Sequence, residues 1–252
     1  MIKKVLIEPR NFASCVVLND SMLWIVGGKV GKNNTNTSEF VKLNENPVKG
    51  PDLPFHISHH SMIQYDKKSI YIIGGLYDDD KYGSGQTWIT DPTNGFQIIK
   101  GPNLKEPRHS FACGKMIING KIVLIVAGGI TKLGNVFDSV EILDPSSDEG
   151  WKIGKELTII SIEFIQRRME SNSCYFIITG PKLPFKIWGS TMVTSPNGKG
   201  VIFIGGSSRC DDSSKVMLEL QSDSTEWVPL KQKNVFMRRT PFAVSIPDDL
   251  KP

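Results

Sequence analysis

The chain has 252 residues, of which 39% are hydrophobic, and a formal net charge of +4. That is enough apolar material for a packed core and excludes global disorder. The Lys and Arg residues are scattered and form no basic stripe interleaved with aromatics, which argues against a nucleic-acid binder. No apolar run reaches the roughly 18 residues of a membrane span, and Met1 to Arg10 lacks a signal-peptide core, so no membrane association is expected and the location expected is cytoplasmic. Cys15, Cys113, Cys174 and Cys210 form no CxxC pair, and they read as free thiols in a reducing compartment.

In chain order, Lys4-Val5-Leu6-Ile7 reads as the outer strand of an earlier unit. Four units then follow, over residues 9–54, 55–104, 105–157 and 180–232. Each opens with an apolar segment: Ala13 to Leu18, Ser61 to Tyr65, Phe111 to Ile118 and Ser190 to Thr194. Each continues with a β-branched run that stops at a glycine pair: Gly27-Gly28, Gly74-Gly75, Gly128-Gly129 and Gly205-Gly206. Such runs read as strands buried on both faces. A polar loop leads to a third strand: Glu39 to Leu43, Thr87 to Asp91, Ser139 to Asp144 and Lys215 to Leu220. A fourth short segment follows, marked by Phe96, Trp151 or Trp227 in the last three units. Four strands repeating at roughly 50 residues make one blade of a β-propeller. Glycine at the strand end permits backbone angles and close approaches that a side chain forbids. Trp151 and Trp227 are expected to fill the wedge between blades.

Residues 156–179 break the period. The segment is rich in Ile and Phe, and two readings stand: an extra element packed on the propeller, or an aberrant stretch without a role. Residues 236–250, including Arg238-Arg239-Thr240-Pro241, match the first strand of a further blade.

The third unit carries Pro107-Arg108-His109, Gly128-Gly129, Asp138 to Pro145 and Trp151. On these residues the chain resembles the kelch family of β-propellers. The resemblance implies an all-β, kelch-type propeller with four recognisable blades, part of a ring that commonly has six. It also implies a protein-protein interaction module, a scaffold or adaptor, without a BTB domain. Open propeller edges would favour self-association. Two alternatives remain: a kelch-fold enzyme such as a sugar mutarotase, epimerase or oxidase, and a truncated kelch protein without independent function.

No catalytic constellation is recognisable. The chain has no Gly-x-Ser-x-Gly elbow. His60 and His109 sit at similar places before a first strand, which suits a structural or binding-loop role. The copper site of oxidases in this family needs two Tyr and two His, and no such set can be assigned. Asp78-Asp79-Asp80 and Asp211-Asp212 lack the DxDxDG pattern of a calcium loop and read as solvated. No metal and no cofactor are expected.

Strand alternation places the loops between second and third strands on the same face as the connections between blades. In similar kelch proteins, partner peptides dock on that face. The partner-binding residues expected there are Tyr77, Tyr82, Arg108, His109, Trp188, Arg209 and Arg238, reading an acidic segment of a protein partner. Arg108, and Arg10 at the matching step, have a second reading as structural arginines.

Overall fold

The computed structural model describes residues 6–18, 22–42, 45–78, 83–118, 120–131, 134–154, 181–184, 186–195, 200–204, 217–221, 224 and 226–230. Among them there is no helix, and they build an all-β propeller arrangement of four blades. The segment 156–179, the stretch 236–250 and the pair Gly205-Gly206 lie outside the described residues.

Each blade is a four-stranded antiparallel sheet with its strands in chain order. The first blade uses Ser14–Leu18, Met22–Val26, Ser38–Lys42 and Val48–Lys49. The second uses Ser61–Gln64, Ile70–Ile73, Thr87–Asp91 and Gln97–Lys100. The third uses Ala112–Ile118, Lys121–Ala127, Val140–Leu143 and Lys152–Ile153. The fourth uses Thr191–Thr194, Gly200–Ile204, Met217–Gln221 and Val228–Pro229. First strands of neighbouring blades lie against one another, while the fourth strands carry exposed Val48, Ile99, Ile153 and Val228. Leu6 and Ile7 do not form the outer strand expected of them; the Ile7 N–H instead donates to Glu39 Oε2 at 2.8 Å.

Side-chain alternation along the strands supplies three apolar layers between blades. Trp24, Val26, Met62, Ile70 and Ile72 fill the first. Tyr71, Ile73, Leu124, Val126 and Trp151 fill the second. Val123, Ile125, Val201, Phe203 and Trp227 fill the third. Trp151 and Trp227 therefore occupy the wedges assigned to them, and Trp227 also donates from Nε1 to the Pro181 carbonyl at 3.1 Å.

The glycine pairs are joints between blades. Gly27, Gly74 and Gly128 have φ of 59°, 59° and 68°, and Gly28, Gly75 and Gly129 have 94°, 97° and 97°. This left-handed geometry turns the second N–H of each pair toward the chain leading into the next blade. Gly28 donates to the Ile57 carbonyl at 2.8 Å, Gly75 to Arg108 at 3.1 Å and Gly129 to Ile187 at 2.9 Å. A Cβ on Gly27, Gly74 or Gly128 would stand 2.6, 2.7 or 2.6 Å from those same carbonyl oxygens.

A second set of links runs close to the axis. The residue two places before each first strand is left-handed: Phe12, His59, Ser110 and Gly189, at φ of 55°, 55°, 54° and 65°. His59 N donates to Phe12 O at 2.9 Å, Ser110 N to His59 O at 3.0 Å, and Gly189 N to Ser110 O at 2.6 Å. The lead-ins of the second, third and fourth blades thus each hang on the lead-in of the blade before.

Candidate interaction face and axial cavity

The two loop sets expected to share a face do share it, and backbone pairing joins them. Asn11 bridges Lys29, Ser58 pairs with Leu76, and His109 bridges Ile130. Each pair couples a lead-in to the loop that follows its blade's second strand. The loops also hold one another: Asn34 donates to the Leu76 carbonyl at 3.2 Å, and Ser58 Oγ donates to Asn34 Oδ1 at 2.7 Å. The hairpin of Lys29–Val30 and Asn33–Asn34 stands at this face with Val30, Gly31 and Lys32 exposed.

Arg108 is a correction to the expected contact set. Its side chain is 0% exposed and is taken up by its own blade. Nη1 donates to the carbonyls of Gly128 at 2.8 Å and Ser139 at 3.2 Å. Nη2 donates to Ser139 Oγ at 2.9 Å, Glu141 Oε1 at 3.0 Å and Glu106 Oε2 at 2.8 Å. Phe137 lies under the guanidinium, 4.5 Å from ring centre to Cζ. Glu141 is also 0% exposed and accepts from the backbone N–H groups of Lys105 and Glu106. Burial is the largest influence on both groups; it lowers the Arg108 pKa and raises that of Glu141, while their attraction opposes it. No donor of this arginine is directed at a partner.

The network occurs twice. Glu8-Pro9-Arg10 reproduces Glu106-Pro107-Arg108 residue for residue, with Arg10 bonded to the Gly27 and Thr37 carbonyls, Thr37 Oγ1, Glu8 and Glu39. In the second and fourth blades the arginine position is Ile57 and Ile187, both fully buried. The glutamate position there is Trp88 and Leu218, read from strand register. Charge is matched by charge and carbon by carbon. The repeated Glu-Pro-Arg, each followed by Thr37-x-Glu39 or Ser139-x-Glu141, was the sequence signal for this role.

The remaining expected contacts fall in different places. Tyr77 is partly buried, packs against Phe55 with ring centres 5.2 Å apart, and accepts a hydrogen bond from Trp88 Nε1 at 2.8 Å. Burial raises the pKa of its phenol. It belongs to the frame of the second blade more than to a free surface. His109 and Trp188 are half-buried and lie on the shared face. Tyr82, Arg209 and Arg238 lie outside the described residues. His60 and His109 are not equivalent: His109 aligns with Asn11, Ser58 and Trp188, whereas His60 aligns with Ala13, Phe111 and Ser190.

Phe12, which no sequence pattern marked, stands on this face together with His59, which the repeat places there. Phe12 is 38% exposed and stacks on His59 at 4.0 Å between ring centres. His59 meets the His109 ring edge-on at 5.7 Å. Burial, then the neighbouring His109 and Lys29, lower the His59 pKa to about 3. A bulky left-handed residue is uncommon and costs free energy, so Phe12 and His59 mark a place where the backbone is held against its preference.

Below them is a cavity of about 530 Å³, lined from the first, second, third and fourth blades. Its walls include Leu23, Ile25, Met62, Phe111 and Met192. Cys15 and Cys113 are also among its lining residues, and burial pushes both thiol pKa values up to about 12. Among the described residues no group of three or more His, Cys, Asp or Glu is placed to hold a metal ion. No helix among them is long and apolar enough to cross a membrane. No protein-family model matches the chain, and a search of curated proteins finds no match.

Proposed function

We propose that this chain is a protein-interaction module, a kelch-type scaffold or adaptor with no catalytic step of its own, that binds a protein partner on the loop face around the propeller axis. The observation that carries this reading is the knitting of lead-ins and loops from three blades into one continuous surface by backbone pairing. A rigid frame presenting loops is the usual way a fold offers a binding surface. The repeat of glycine pairs, wedge tryptophans and Pro-Arg steps supports kelch type.

The exposed chemistry of this face suits an acidic segment with an apolar side chain. Lys29 and Lys32 supply positive charge beside the exposed Phe12 and Val30. Arg108 has no part in it. The test is selection from a peptide library displayed on phage against the full chain. Selected peptides should be rich in Asp and Glu and carry an aromatic or aliphatic anchor. They should lose binding to a variant with Lys29→Glu and Lys32→Glu. A selection indifferent to charge, or one unaffected by that variant, refutes the reading.

A further inference from the structure

The second strands of the four blades are apolar on both faces, yet only those of the middle blades are covered on both. Ile70 to Ile73 are all buried, and so are Val123 to Ala127. In the end blades burial alternates along the strand. Trp24 and Val26 are buried against the second blade, while Leu23 and Ile25, on the other face, are partly exposed. Val201 and Phe203 are buried against the third blade, while Ile202 and Ile204 are partly exposed. Strand register adds Cys15, Val17 and Val41 to the first open face, and Val193 and Met217 to the second. All five are also partly exposed. A strand apolar on both sides belongs between two partners, and the terminal units of a stacked array ordinarily turn a polar face outward.

The chain does not close these two faces on each other. First strands of consecutive blades lie together, whereas those of the first and fourth blades do not pack in that way. His59, Ser110 and Gly189 each donate to the lead-in before, and among the described residues no such bond joins Phe12 to Gly189. The axial cavity reaches Leu23 and Ile25 but none of Val193, Ile202, Ile204 and Met217.

The three layers within the chain show what fits each open face. Trp24 and Val26 meet Ile70 and Ile72, Tyr71 and Ile73 meet Leu124 and Val126, and Ile125 and Ala127 meet Val201 and Phe203. In every layer the positions of Ile202 and Ile204 face the positions of Leu23 and Ile25 in the next blade. The open face of the fourth blade is therefore the complement of the open face of the first, and a second copy of the chain supplies it.

We propose that two copies of this chain associate reciprocally, the fourth blade of each packing on the first blade of the other, to make one ring of eight blades. A head-to-tail contact of this kind ends when it closes on itself, and eight blades lies within the range that propellers adopt. The end faces are distinct from the loop face, so this association and the docking of a partner can fail separately.

The test is sedimentation velocity on the full chain over a wide concentration range. The parent should be a dimer. Leu23→Lys spoils the first-blade face and Ile202→Lys the fourth-blade face; each alone should be a monomer, because every joint of the pair needs one face of each kind. Mixed in equal amounts, the two variants should form a dimer again, held by one joint instead of two. Urea unfolding checks that both are folded, and Val17→Lys and Val193→Lys, on the same two faces, replace either one that is not. A parent that is monomeric at every concentration, or that gives an open-ended series of sizes, overturns the proposal. So does a single variant that remains a dimer, or a mixture that stays monomeric.

Discussion

Replacing Arg108 by isoleucine while leaving Glu141 in place should be among the most damaging single changes in the chain. The substitution leaves a fully buried carboxylate with only the Lys105 and Glu106 N–H groups, and takes the guanidinium donor from the Gly128 carbonyl, while the Ser139 carbonyl keeps the Gly128 N–H. Breaking a buried pair in this way costs about 3–5 kcal/mol. Domain stability is itself about 5–15 kcal/mol, so the loss is a large fraction of the whole. Glu141→Leu alone should also destabilise, because it removes one of the two carboxylates of the buried guanidinium, leaving Glu106, and takes the acceptor from the Lys105 and Glu106 N–H groups. The double change Arg108→Ile with Glu141→Leu should recover most of the loss and end within about 2 kcal/mol of the parent, since apolar replacement of a whole buried pair is often neutral. The fourth blade already carries that combination as Ile187 and Leu218, both buried. The assay is urea unfolding followed by tryptophan fluorescence, with the coupling taken from the double-mutant cycle. A loss below about 1 kcal/mol for Arg108→Ile, or a double variant as unstable as the two singles added together, would refute the reasoning, since a buried pair must show strong coupling.

Acid should weaken the fold through His60. Its folded pKa is lowered to about 3 from 6.5, so the unfolded chain takes up a proton that the folded chain refuses. Stability is then full above the ordinary histidine pKa and is lost as pH falls toward the folded value. At about pH 5 the loss is roughly 2 kcal/mol. Urea midpoints of the parent and of His60→Leu should diverge over this window; parallel curves would contradict the assignment. Gly74→Ala should destabilise by well over ~1 kcal/mol, because φ is positive and a Cβ would meet Phe111 Cε1 and the Arg108 carbonyl at 2.6 and 2.7 Å. Gly95→Ala has the same sign of φ but open space, and should cost only about 1–2 kcal/mol. Equal melting-temperature losses for the two would mean that the joint is not tight.

The blades were legible because their marks are local. A β-branched run that stops at two glycines states both a buried strand and a left-handed turn. One tryptophan alone would mean little, whereas Trp151 and Trp227, each recurring after a third strand, marked a wedge. The role of Arg108 was half legible. Arginine is rarely buried, and only the Glu141 carboxylate, 33 positions away, decides that this one is. The repeated Glu-Pro-Arg pointed there, but the matching swap to Ile and Trp or Leu required the register of the strands. The axial cavity was not legible. Nothing in the residue types separates a satisfied histidine from His60, whose missing partners are a property of the assembled blades.

The doubled arginine network also says where one blade begins. Arg108 is bonded through its side chain to Gly128, Ser139 and Glu141 of the third blade, while its carbonyl is held by Gly75 of the second. A cut made just ahead of Glu8 or Glu106 therefore keeps each arginine with its own carboxylates, whereas one just after Gly27-Gly28 or Gly128-Gly129 parts it from Glu39 or Glu141. A cut made at the first strand would give one fragment the cation and the other the anion. Shuffled, duplicated or split versions of this propeller should be joined ahead of Glu8-Pro9-Arg10 and Glu106-Pro107-Arg108, so that every fragment carries its own counterion.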